Sequence, residues 1–145
     1  MTWCGIAGAT TPAILDTLLA HGFNRFSLGI QDFAPEVLTA VARSQGLMEV
    51  EDTVAHLRAA GCSRINFDLI YGLPLQTAAG FRASVRRVLD ELAPDRVACF
   101  SYAHVPWIKP HQKQLDESRL PGGWEKFSLF TGAAAEFVDA GYTFI

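Results

Sequence analysis

A weak internal repeat of one shape runs through this chain. "LLAHGFNRFSLGI", "LRAAGCSRINFDLI" and "FVDAGYTFI" each run from an apolar helix through a glycine and a short link into a strand-like segment. A helix between two strands returns the chain to the same end of the sheet, so strands joined this way pair in parallel. The repeat therefore restricts the fold to α/β, as successive β/α units of a barrel or a doubly wound sheet.

Thr11 and Pro12 are a capping hydroxyl and a first-turn proline, followed by Ile14, Leu15, Leu18 and Leu19 on one stripe and a stop at Gly22. "RFSLGI" (25 to 30) reads as a strand. Pro35 opens a short helix carrying Val37, Leu38 and Val41, with Ala34 a poor cap. A second helical stretch holds Val50, Val54 and Leu57 and ends at Gly61. "RINFDLI" (64 to 70) is the next strand. After Thr77 a helix carries Phe81, Val85, Val88, Leu89 and Leu92, with Arg82 and Arg86 outside, and Pro94 stops it. "RVACFSY" (96 to 102) is a third strand. Trp124, Phe127, Phe130, Ala134, Phe137 and Val138 mark a last helix, and "YTFI" reads as the start of a fourth strand.

A closed eight-unit barrel takes at least about 200 residues, and this chain has 145. The expectation is part of an incomplete barrel from a larger protein, with residues 13–145 forming β/α units and residues 1–12 a divergent N-terminal segment. A net charge of -3 argues against a nucleic-acid partner. No apolar run is long enough to span a membrane, and the first residues make a poor secretion signal. Cys4, Cys62 and Cys99 are too far apart in sequence for a disulfide framework or a metal cluster and suit a reducing cytoplasm.

Strand faces point to a site. Side chains alternate across a strand. Phe26, Leu28 and Ile30 share one face, and Ser27, Gly29 and Gln31 the other; Ile65, Phe67, Leu69 and Tyr71 oppose Asn66, Asp68 and Ile70. The apolar sets belong under helices. The inner sets are small and polar, unlike the Val, Ile and Leu of a packed barrel interior, and suggest a lumen that holds something polar. Gln31 and Asp68 lie near the strand C-termini, where ligands bind in such sheets. For Asp68 the pattern leaves two readings open: a ligand contact, or a structural ion pair with Arg25, Arg43 or Arg64. Gln31 is equally a ligand contact or a loop-entry hydrogen bonder. For Gly72 the turn reading is favoured over close approach to a ligand. The loop "SYAHVPWIKPHQK" (101 to 113) mixes His104, Lys109, His111 and Lys113 with Tyr102 and Trp107. It is read as a solvated loop with Trp107 tucked into the core, the alternative being a site for an anionic, planar ligand.

"LGIQDF" (28 to 33), "DLIYGLPLQT" (68 to 77) and "FSYAHVPWIKPHQK" (100 to 113) together resemble the oxygen-independent coproporphyrinogen III oxidase (coproporphyrinogen dehydrogenase) family of radical SAM enzymes. The resemblance implies a partly open β/α barrel holding a [4Fe-4S] cluster and two S-adenosylmethionine molecules, located in the cytoplasm. It implies oxidative decarboxylation of coproporphyrinogen III to protoporphyrinogen IX, in haem and porphyrin biosynthesis. By motif position, Gln31, Arg43, Asp68 and Ala103 fall where the family contacts the second S-adenosylmethionine. The Lys and His of 109 to 113 become candidates for contact with substrate propionates.

Two departures limit what the resemblance carries over. The family holds its cluster with CxxxCxxC, and no two cysteines here have that spacing. The family's acidic strand ending before the first helix is replaced by "WCGIAGATTP", where Cys4 reads as incidental. The isolated chain is therefore expected to be catalytically silent. Its rivals are an S-adenosylmethionine-binding half-barrel or docking module without catalysis, a different β/α enzyme using Asp68 as acid or base, and a truncated gene product.

Overall fold

The computed structural model describes residues 1–6, 9–43 and 46–145. Four parallel strands form one sheet in sequential order: β1 (Thr2–Gly5), β2 (Arg25–Gln31), β3 (Ile65–Tyr71) and β4 (Arg96–Ser101). Helix α1 (Pro12–Ala20) joins β1 to β2. Helices α2 (Pro35–Ala40) and α3 (Leu47–Ala59) join β2 to β3, and α4 (Ala78–Arg87) joins β3 to β4. Helix α5 (Gly123–Asp139) follows β4 and packs beside α4, where Glu136 pairs with Arg82 and Arg86. This is the α/β arrangement that the repeat predicts.

The local signals act as expected at several helix ends. The Thr11 side chain accepts from the Ile14 N–H, and Thr77 caps α4 by accepting from Gly80. Gly22, Gly61 and Gly141 take positive φ just past the ends of α1, α3 and α5. Helix α4 passes into a π-helical turn over Val88–Leu92 and ends at Ala93 in the left-handed region, directly before Pro94.

The core lies between one face of the sheet and the helices. Phe26, Leu28, Ile30, Ile65, Phe67 and Leu69 are its strand side, and Leu15, Val50, Leu57, Phe81, Val85 and Val88 its helix side. The apolar strand set is thus the helix-covered one.

Two expectations need correction. "YTFI" is not a strand: residues 142–145 run without secondary structure, and Tyr142 instead packs on Phe137 and hydrogen-bonds the Pro94 carbonyl. A strand exists only where its backbone finds a partner, and residues 142–145 pair with no strand among the described residues. The fourth strand is at the other end of the chain, where Thr2–Gly5 pairs with β2 in register Thr2↔Arg25 to Gly5↔Leu28. Residues 7 and 8 of the N-terminal segment lie outside the described residues. Finally, Trp107 is 74% exposed rather than tucked into the core.

Candidate functional site

Strand register builds a polar surface on the face away from the helices. Cys4, Ser27, Asn66 and Arg96 stand opposite one another across the four strands, and one rung higher Gly29 faces Asp68 and Asp68 faces Ala98. Asn66 Nδ2 donates to Ser27 Oγ at 2.7 Å and to Asp68 Oδ1 at 2.8 Å; Ser27 Oγ donates to Asp68 Oδ2 at 3.1 Å. Both carboxylate oxygens are therefore steadied from below by neutral donors. An ionised carboxylate has about four acceptor positions, so each oxygen keeps capacity for a further donor. Asp68 is half-buried and has no ion pair among the described residues, which removes the reading of a structural pair with Arg25, Arg43 or Arg64.

Gln31 reaches the same face by an unusual route. The pairing of β2 with β3 shifts between Gly29 and Gln31, so that Gln31 pairs with Leu69. Gln31 has φ 69°, and the Asp32 N–H donates to the Ile30 carbonyl at 2.9 Å. That is a γ-turn with its central residue at positive φ, a rare and strained form. The turn folds the Gln31 side chain back over Gly29: a Cβ built on Gly29 would stand 2.9 Å from Gln31 Nε2. The amide makes no hydrogen bond among the described residues.

Arg43 follows α2 at the same end of the sheet. Its backbone N–H donates to Leu38 O at 2.8 Å, and its Nη1 is buried without a hydrogen-bond partner. Ala103 is exposed just past β4, and its carbonyl accepts from Gln112 Nε2 at 3.1 Å. The structure thus brings Gln31 and Asp68 onto one surface. No hydrogen bond or ion pair among the described residues links Arg43 or Ala103 to them.

Sequence reasoning missed the residues that shape these strand ends. Asp32 is fully buried. Its Oδ1 accepts from the N–H groups of Phe33 at 2.6 Å and Ala34 at 3.1 Å and from Ser84 Oγ; its Oδ2 accepts from Gln76 Nε2 at 2.6 Å. Gln76 also donates to Ile70 O at 2.8 Å, while its carbonyl accepts from Gly72 N at 2.7 Å and Leu73 N at 3.0 Å. The "QDF" and "GLPLQT" segments are therefore one hydrogen-bonded unit. Gln112 does the same for the loop after β4, its carbonyl accepting from Val105 N at 2.6 Å while its amide holds Ala103 O. His104 lies between the Tyr102 hydroxyl at 3.1 Å and Glu117 Oε1 at 2.9 Å. The one available signal was a polar residue directly after a strand or inside a Pro-containing turn.

Comparison with known proteins gives this surface its context. The radical SAM superfamily model matches residues 2–88. The chain belongs to the radical SAM superfamily. The match begins at the first residue of β1. Among curated relatives of this radical SAM chain, the oxygen-independent coproporphyrinogen III oxidase of Helicobacter pylori (strain J99) is 44% identical over 131 residues, spanning 90% of this chain and 28% of that protein. The Escherichia coli K12 protein of the same name is 41% identical over 91% of this chain and 29% of its own length. The solved coproporphyrinogen III oxidase of Escherichia coli superposes with TM-score 0.95 at 38% identity, covering 99% of this chain and 33% of that one. An archaeal Elp3 from Methanocaldococcus infernus, at 14% identity and TM-score 0.74, shares the fold. The chain thus spans roughly three-tenths of the curated relatives it matches.

Two groups follow from the superfamily, and this chain fits them unequally. The polar face offers a carboxylate with spare acceptor capacity and an amide that makes no hydrogen bond among the described residues, groups of the kind that S-adenosylmethionine's ammonium and hydroxyls could meet. The cysteines do not fit a [4Fe-4S] cluster. Cys4 is exposed on the polar face of edge strand β1, Cys62 is buried, and Cys99 is on the opposite face of edge strand β4. Three strand spacings alone put β1 and β4 roughly 14 Å apart. No group of three or more His, Cys, Asp or Glu among the described residues could hold a metal ion. No helix among them is long and apolar enough to cross a membrane.

Proposed function

We propose that this chain is part of a radical SAM oxidoreductase that converts coproporphyrinogen III to protoporphyrinogen IX in porphyrin biosynthesis. Its contribution is a set of strand ends that binds S-adenosylmethionine. The observation that carries this reading is Asp68: a half-buried carboxylate on the polar sheet face, hydrogen-bonded among the described residues by Ser27 and Asn66, with the Gln31 amide lying over its register partner Gly29. Desolvating a carboxylate without a cation is costly, and a ligand's ammonium or hydroxyl groups would answer it. Arg43 would pair a ligand carboxylate, and Ala103 would border the same ligand at the end of β4. Three unpaired thiols suit a reducing cytoplasm.

When bound, the cofactor supplies the family's radical chemistry; the residues of this chain bind and orient it. The cluster's thiolate ligands are not among those residues, so the isolated chain is silent in catalysis. Lys109 and Lys113, both exposed beside His111, are offered as contacts for substrate propionates.

Calorimetric titration of the 145-residue chain with S-adenosylmethionine tests the reading. Binding is expected, weakened at least about tenfold by Asp68→Ala or Gln31→Ala, in line with loss of a hydrogen bond to a charged group. Equal affinity in these variants removes them from the site. Anaerobic iron and sulfide reconstitution should give no stoichiometric cluster absorbance.

A further inference from the structure

We infer that Asp32, Gln76 and Ser84 form a positioning device that holds the strained turn at Gln31 and so aims its amide across the polar face. This rests on the S-adenosylmethionine reading above and adds the residues that set the geometry of that site.

Gln31 is neither Gly, Asn nor Asp, yet it stands at φ 69° in a turn closed by the Asp32 N–H to Ile30 O bond of 2.9 Å. Side chains are disfavoured in that region, and such residues persist only where their surroundings over-determine them. The over-determination starts at the next residue. Asp32 is wholly buried and accepts from four donors. Two of these belong to its own loop, one to Ser84 on α4, and one to Gln76 in the loop after β3. Ser84 Oγ also accepts from the Phe33 N–H at 3.2 Å. Gln76 in turn grips the end of β3 through Ile70 O, Gly72 N and Leu73 N. The residue after Gln31 is thus tied to the strand that carries Asp68 and to the helix behind it.

The consequence is positional. With Asp32 pinned, residue 31 has only the bulged turn available, and its side chain lies over Gly29, whose register partner is Asp68. In an ordinary extended strand residue 31 would share the Gly29 face as well; what the turn fixes is how far the amide folds back over Gly29. These three residues act through Gln31 and touch no ligand themselves, which makes them positioning residues.

The test uses the whole chain and two independent readouts. Gln76→Glu removes the donor to Asp32 and sets two carboxyl groups against each other; Ser84→Ala removes one donor with little change of shape. Val88→Ala, a core change with no part in the knot, serves as a control for general loss of stability. Backbone and side-chain amide resonances of Gln31 report its turn directly. Both knot variants should move the Gln31 resonances out of the positive-φ range while Val88→Ala leaves them, and should weaken S-adenosylmethionine binding at least about tenfold by calorimetry. Gln31→Gly adds a test that a merely structural residue would not pass: relief of strain raises the thermal midpoint while affinity falls. Unmoved Gln31 resonances in both Gln76→Glu and Ser84→Ala, or affinity equal to that of Val88→Ala, overturn the inference. Absence of binding by the unsubstituted chain overturns the ligand reading, while the resonances still decide whether the knot holds the turn.

Discussion

Lys126 of α5 lies along Gly72 at the end of β3. A Cβ at position 72 would stand 2.4 Å from Lys126 Cε, and the lysine's Nζ continues past it to donate to Tyr102 O at 2.6 Å. Gly72 also has φ 88°. The glycine thus serves both a left-handed turn and the passage of a lysine from α5 to the end of β4. The favoured turn reading was correct in kind, but the close approach is by a side chain of this chain.

Gly72→Ala is expected to destabilise the fold by about 2–4 kcal/mol, combining the positive-φ cost with the displaced lysine bond. In a Lys126→Ala background the same change should cost only the conformational part, roughly 1–2 kcal/mol. A denaturant double-mutant cycle measures the difference. Strict additivity would show that the lysine contact carries no energy.

The three thiols should separate by reactivity. Cys4 is exposed, Cys62 is buried with Sγ 3.7 Å from Asn24 O, and burial pushes the Cys99 thiol up to about 11. At pH 8 a thiol of that pKa is about one part in a thousand thiolate. A thiol reagent should modify one cysteine quickly in the native chain and the other two only after denaturation. The sign for stability follows. The fold favours the protonated Cys99, so its contribution is complete below the ordinary thiol range near about 8.5. It is lost as pH rises from there through about 11. Unfolding curves should weaken over that window, and less steeply in Cys99→Ala. Two fast thiols at pH 8 would contradict the placement of Cys99.

The loop after β4 hangs on Gln112, which is buried and bridges Val105 N to Ala103 O. Gln112→Ala leaves both groups without that partner and should cost about 1–3 kcal/mol. Hydrogen exchange at the Val105 N–H should accelerate sharply, with β2 and β3 amides little affected. Gln112→Glu should restore protection at Val105 but not the contact to Ala103 O. Unchanged exchange in Gln112→Ala would mean that the loop is held elsewhere.

What could be read from the sequence was whatever depends on local period or local caps. Parallel β/α order, the Thr11 cap, the glycine stops and the polar face bearing Asp68 all have that character. What could not be read depends on partners distant in the chain. Thr2–Gly5 is short and is a strand only because β2 lies beside it, whereas "YTFI" has the better pattern but no strand pairing among the described residues. Asp32 and Gln76 are 44 residues apart, and no periodicity signals that one buried amide will meet one buried carboxylate. Helix α5 shows the limit of period itself. It is apolar on two stripes; Leu129, Ala133 and Phe137 are buried while Trp124, Phe127 and Val138 remain exposed.

Gly29 offers a way to move Gln31 without touching it or its supports. The Cβ added by Gly29→Ala would come within 2.9 Å of Gln31 Nε2, the free end of a flexible side chain, and 3.7 Å from Gly5 O, an ordinary contact. The backbone at Gly29 is not in the positive-φ region, so alanine meets no conformational penalty there. Stability should therefore change by less than about 1 kcal/mol, while the Gln31 amide is displaced from its place over Gly29. S-adenosylmethionine affinity is expected to fall several-fold with an unchanged thermal midpoint. That combination separates a ligand role for Gln31 from a purely structural one, because a structural amide would register its displacement as lost stability. Full affinity in Gly29→Ala, with the amide shown to have moved, would take Gln31 out of the binding surface.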